Sequence, residues 1–116
     1  MKRLIFIVAT LMSVGVWCHA DVIAYPNPWI PADPNPARGT LAGGITFSGL
    51  PSGSGGDIYV YTVSGNQVIH ISFNNSGGTE KWTGKNSDGV YVASGVYLWV
   101  VKTDQLTKTG KIVIVR

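Results

Sequence analysis

The chain's punctuation constrains its fold more than any other feature. From Gly44 onward, short runs of alternating apolar and polar residues are cut by glycine, proline, asparagine and serine. A period of two places one face of a strand in a core, and turn residues bound each strand. The stretch before them is punctuated still more heavily. Pro26, Pro28, Pro31, Pro34 and Pro36 fall within eleven residues. Proline lacks an amide donor and drives its predecessor to extended backbone, so no helix fits there. Trp29 and Ile30 within the same stretch argue against a disordered linker. The segment is expected to lie over a sheet edge or to bridge two sheets.

Seven strands follow from this pattern. Asp21 to Tyr25 opens the series, and Gly44 to Ser48 turns Ile45 and Phe47 to one face. Asp57 to Val63 is rich in β-branched and aromatic residues. Ser64, Gly65 and Asn66 form a hairpin turn, with Gly65 or Asn66 able to take positive φ. Gln67 to Phe73 returns with Ile69, Ile71 and Phe73 on one face. Glu80 to Trp82, Gly95 to Lys102 and Lys111 to Val115 complete the set. Tyr97, Trp99 and Val101 share one face of the sixth strand, and Ile112 and Ile114 one face of the last. Each buried aromatic removes about 150–250 Å² from water, so Trp82, Tyr97 and Trp99 are the expected core anchors. Seven short strands at this spacing predict an all-β, immunoglobulin-like β-sandwich.

The first twenty residues read differently. Lys2 and Arg3 precede a largely apolar run from Leu4 to Trp17, and Cys18-His19-Ala20 resembles a cleavage site. This is the pattern of a secretory signal peptide, predicted as a helix over residues 1–20 ahead of a module at 21–116. A spanning anchor would need about 20 apolar residues. Lipidation of Cys18 would want a small residue before it, where Trp17 stands. Without this segment the 96 remaining residues carry seven basic and six acidic side chains and no cysteine. The net charge of +3 therefore falls to +1. No clustered basic footprint for nucleic acid remains, and the fold must rest on its core alone.

The final third carries the most specific pattern. Asp88-Gly89 and Ser94-Gly95 are turns around a small Val90 to Ala93 segment. Taken in order, Tyr25-Pro26-Asn27-Pro28, Ile58 to Gly65, Trp82-Thr83-Gly84, Asp88-Gly89, Ser94-Gly95-Val96-Tyr97 and Lys111 to Arg116 resemble a known family. It is the immunoglobulin-like module of the flagellar hook-cap protein and of the C-termini of many secreted bacterial proteins. It is also similar to the C-terminal sorting domain of the type IX secretion system. The resemblance covers nearly all of residues 21–116. It implies recognition by outer-membrane export machinery, with cleavage there. Thr62 and Thr83 stand where the family usually carries acidic residues. Such modules normally follow a large passenger, whereas here the leader precedes the module directly.

Catalytic chemistry has little to draw on. His70 is the sole histidine after residue 20, and alternation points it away from Ile69 and Ile71. Ser64, His70 and Asp57 supply the residue types of a triad without its sequence motif. Asn86-Ser87-Asp88-Gly89 is half of a calcium loop, but Gly84 and Gly95 occupy the remaining acidic positions, so a turn is expected. Asp33-Pro34-Asn35 is weaker still, and no zinc ligand set exists. No cofactor is expected, since Gly53 to Gly56 lacks the ending of a phosphate loop. Asn74-Asn75-Ser76 fits a glycosylation acceptor of eukaryotic type.

Binding is the stronger class. Trp29, Tyr59, Tyr61 and Tyr91 are candidates for exposed aromatic surface, able to stack on carbohydrate or to anchor a protein interface, although covering strand edges or completing the core is the more ordinary role. The final strand is a candidate open edge for a partner strand, tempered by Lys108, Lys111 and Arg116. Two readings follow. One is a non-enzymatic secreted module for interaction or assembly at the cell surface. The other is a type IX sorting domain. A small hydrolase working through His70 is a remote third.

Overall fold

The computed structural model describes residues 22–53, 55–74 and 77–116. The signal-peptide reading of residues 1–20 lies outside the described residues. Among these residues seven strands run β1 (Ile23–Tyr25), β2 (Ile45–Ser48), β3 (Gly56–Thr62), β4 (Gln67–Phe73), β5 (Thr79–Trp82), β6 (Gly95–Thr103) and β7 (Thr107–Ile114). They form two antiparallel sheets, ordered β1-β2-β5 and β4-β3-β6-β7. The chain is thus an all-β, immunoglobulin-like sandwich. No helix among the described residues is long and apolar enough to cross a membrane.

The inward faces are those that alternation selects. Ile45 and Phe47 from one sheet meet Ile58, Val60, Tyr97, Trp99, Val101, Ile112 and Ile114 from the other, all buried. Two aromatic pairs bind the sheets across the core. Phe47 packs edge-on to Trp99 at 5.5 Å, and Trp82 edge-on to Tyr97 at 6.4 Å. Trp99 lies against Gly110, its directly opposed residue on β7, where a Cβ would come within 2.3 Å of the ring. The Trp99 indole nitrogen has no hydrogen-bond partner among the described residues. Its ring therefore contributes to the core through volume and not through a hydrogen bond.

Two expectations are corrected, and one choice between readings is decided. The last strand begins at Thr107 and not Lys111. The cause is a tight hairpin in which Thr103 Oγ1 accepts the amides of Gln105 and Leu106, so pairing starts at once. Trp29 is fully buried, which decides for its core role over the surface one. Finally, the edge of β7 is not open along its C-terminal half. The proline-rich segment crosses from β1 to this edge and pairs with it in parallel at Trp29 and Ile114. The Trp29 amide donates to the Val113 carbonyl at 2.8 Å, and the Val115 amide donates to the Trp29 carbonyl at 2.9 Å. The segment thus bridges the two sheets and covers part of one edge.

Candidate functional site

The motif residues converge at one end of the sandwich. Tyr25 closes β1 and is exposed, with Pro26 and Pro28 half-buried beyond it. The Tyr25–Pro26 and Asn27–Pro28 peptide bonds are cis. Asn27 imitates a strand residue with its side chain. Its Nδ2 donates to the Lys111 carbonyl at 3.0 Å, and its Oδ1 accepts from the Val113 amide at 3.1 Å. The first motif and the last are therefore hydrogen-bonded neighbours, 84 and 86 residues apart in sequence.

Trp29 explains Gly84. A Cβ on Gly84 would stand 2.5 Å from the Trp29 ring, and one on Gly39 would meet its other end at 2.5 Å. Two glycine backbones thus clamp the indole, whose Nε1 donates to the Thr40 carbonyl at 3.2 Å. Trp82, at the end of β5, donates its Nε1 to the Lys85 carbonyl at 2.8 Å. The Val92 amide donates to the Gly84 carbonyl. Asp88 and Gly89 lie in a turn built by Asn86, whose Oδ1 accepts from the Asp88 and Val90 amides at 3.0 and 3.1 Å. Asn86 thus turns the backbone, as an asparagine in a turn commonly does.

The C-terminus is tied into the same end. The Arg116 amide donates to Ser94 Oγ at 2.8 Å, and its guanidinium donates to the Val92 carbonyl at 3.3 Å. Tyr97 donates its hydroxyl to the Ala93 carbonyl at 2.7 Å, and burial pushes that phenol above its ordinary value. Lys85 and Arg116 both approach the Tyr91 ring, at 4.9 and 5.4 Å from its centre, within range for cation–π attraction. Lys111 is exposed on β7, and Gly95 opens β6. Gly65 lies at the same end, in the β3–β4 hairpin beside the start of β6, where its amide donates to the Thr62 carbonyl. The sequence did not signal Trp29 as the plug of this end. The glycines at 39 and 84 are its only trace, and they are legible only once the ring is placed.

A second cluster lies on the outer face of the four-stranded sheet. His70 Nε2 is 2.8 Å from Asp57 Oδ1, and Ser72 donates to the same carboxylate oxygen at 3.0 Å. Those bonds, His70's first, hold the Asp57 carboxyl below its ordinary value. Ser72 Oγ also lies 3.4 Å from the same His70 nitrogen. A triad assigns the acid and the serine to opposite ring nitrogens, so that one orients while the other takes the proton. Here both partners share Nε2, and the serine proton is committed to the carboxylate. Ser64 is not part of the cluster. It lies at the hairpin tip, within bonding distance of Thr62 and Asn66. His70 also stacks on Tyr59 at 4.6 Å, covering one aromatic face otherwise open to a sugar. Among the described residues no three potential metal ligands gather.

Comparison with known proteins agrees with this geometry. No curated protein matches the chain. The structure is similar to part of PorZ from Porphyromonas gingivalis, described as an essential bacterial surface component of the type IX secretion system. The TM-score is 0.60 with 27% identity, over 82% of this chain and 11% of that one. It is also similar to part of latent PorU from the same organism, with a TM-score of 0.50 and 25% identity, over 82% of this chain and 9% of PorU. The chain thus corresponds to about a tenth of either protein. The hook-cap side of the resemblance finds no support in these comparisons. The profile of the secretion system C-terminal sorting domain matches residues 34–115. This span takes in Gly39 and Gly84, the two sides of the Trp29 clamp, and β2 to β7, while Trp29 and β1 lie before it. The chain therefore belongs to the family of secretion system C-terminal sorting domains and is an exported protein.

Proposed function

We propose that residues 21–116 act as a type IX sorting domain, a non-catalytic module by which export machinery at the outer membrane recognises the polypeptide. The family match over residues 34–115 is the observation that carries this reading. The geometry supports it. The motif residues do not surround a reaction centre. They tie the segment after β1 to the C-terminal strand over the buried Trp29, leaving Lys111 and Arg116 exposed at that end.

The test is a fusion of residues 21–116 behind a periplasmic reporter, in a host that carries the type IX system. The reporter is expected outside the outer membrane. A reporter that stays periplasmic overturns the sorting role. The likeness to PorZ favours a second reading, in which the module is a lasting part of a surface assembly. On that reading the fused domain stays attached to the exported reporter, whereas a sorting signal that is cleaved leaves it.

A further inference from the structure

The outer face of the four-stranded sheet breaks the alternation that governs the rest of the sandwich. Strand β6 is apolar on both sides. Tyr97, Trp99 and Val101 point into the core, while Val96, Leu98 and Val100 point outward, with Lys102 ending the row. Val96 and Leu98 are 41% and 40% exposed. Tyr59 and Tyr61 lie beside them on β3, and Val113 beside them on β7. Antiparallel sheets with one wet face alternate apolar and polar residues, and strands apolar on both faces are ordinarily covered on both. A contiguous exposed apolar patch marks an interaction surface. An open groove of about 470 Å³, lined by Tyr61, Leu98, Val100, Thr109 and Lys111, makes this one concave.

We propose that this face packs against the same face of a second copy of the chain, about a twofold axis along the seam between β3 and β6. The register carries the argument. Across that seam Asp57 stands opposite Lys102, Tyr59 opposite Val100 and Tyr61 opposite Leu98. A twofold axis lying in the interface along the seam exchanges the two strands and keeps the rows. A closed pair of this kind uses one patch twice, so the patch must complement itself. Here it does. Asp57 of each copy lies over Lys102 of the other, and each tyrosine lies over an aliphatic residue. Tyr61 of the second copy enters the groove beside Leu98. Packed sheets keep their strands within about 30° of one another, so the match holds along the seam. A partner of single charge would leave either Asp57 or Lys102 facing its own sign. His70 and Ser72 fix the Asp57 carboxylate in place for the contact. This inference does not rest on the sorting role.

The test uses residues 21–116, since both sheets and their shared core lie within residues 22–116. Sedimentation equilibrium over a concentration series into the millimolar range is expected to show mass rising to twice that of one chain. Leu98→Lys is expected to hold the mass at one chain while the circular dichroism spectrum and thermal midpoint stay unchanged. Asp57→Lys and Lys102→Asp, each alone, are expected to remain single chains. Mixed in equal amounts they are expected to recover the doubled mass, because every base then meets an acid across the axis. A single-chain mass at every concentration overturns the proposal, even if the chain captures some other protein. Doubled mass that survives Leu98→Lys overturns it too, and so does a mixture that gains nothing over its components.

Discussion

Two indoles show how single side chains set this fold's tolerance. Trp29 is clamped between Gly39 and Gly84, so Gly84→Ala must both strain a backbone at φ +81° and displace the ring. Gly89 shares the same backbone region at φ +80° but faces open space. Denaturant unfolding is expected to show Gly84→Ala losing about 3 kcal/mol or more, and Gly89→Ala about 1 kcal/mol, the difference being the Trp29 contact. Equal losses would contradict the clamp. Trp99 is 4% exposed, and its nitrogen has no partner among the described residues. Trp99→Ala is expected to cost about 3–5 kcal/mol. Trp99→Phe is expected to cost far less, because no hydrogen bond is lost. At Asp57 the His70 bond lowers the carboxyl below 3.8. An acid lowered on folding adds stability above its unfolded value and loses it as pH falls through the folded one. Carboxyl resonances in a His70→Leu variant should therefore show Asp57 titrating upward, nearer 3.8. An unmoved Asp57 would contradict that cause.

At the scale of elements, the edge of β7 is the informative case. Edges invite pairing with other chains, and proteins cover or interrupt them. Here the cover is the Asn27–Trp29 segment. Replacing Asn27 by alanine removes one bond to Lys111 and one to Val113, a loss of about 1–3 kcal/mol. Amide exchange at Val113 and Val115 should quicken in that variant while β3 and β6 keep their protection. Uniform quickening across both sheets would mean that the segment holds the whole fold and not this edge. Most strands were legible in the sequence, because alternation at Ile45, Phe47, Tyr97 and Trp99 reports the buried face directly. That the proline segment covers an edge was legible, but which edge it covers was not. It depends on Asn27 meeting Lys111 and Val113 more than eighty positions away, and local periodicity carries no trace of such a contact. For the same reason the sequence left Trp29 open between core and surface, since five nearby prolines erase any alternation around it. The outward apolar row Val96, Leu98 and Val100 was visible as letters, but its meaning appeared only when β3 and β7 flanked it.

For the whole molecule, the sorting proposal rests on the family match and on how the segment after β1 is joined to the C-terminal strand. The polar cluster on the outer face binds its own members, with serine and histidine both committed to one carboxylate oxygen. The motif residues at the other end join β1, β7 and the loop after β5 into one hydrogen-bonded surface. That arrangement suits a module that is recognised as a folded body. The most direct measurement is the location of a reporter fused ahead of residues 21–116, in paired strains with and without the type IX system. The sorting account predicts reporter outside the outer membrane only in the strain that has the system. Equal periplasmic retention in both strains would contradict it.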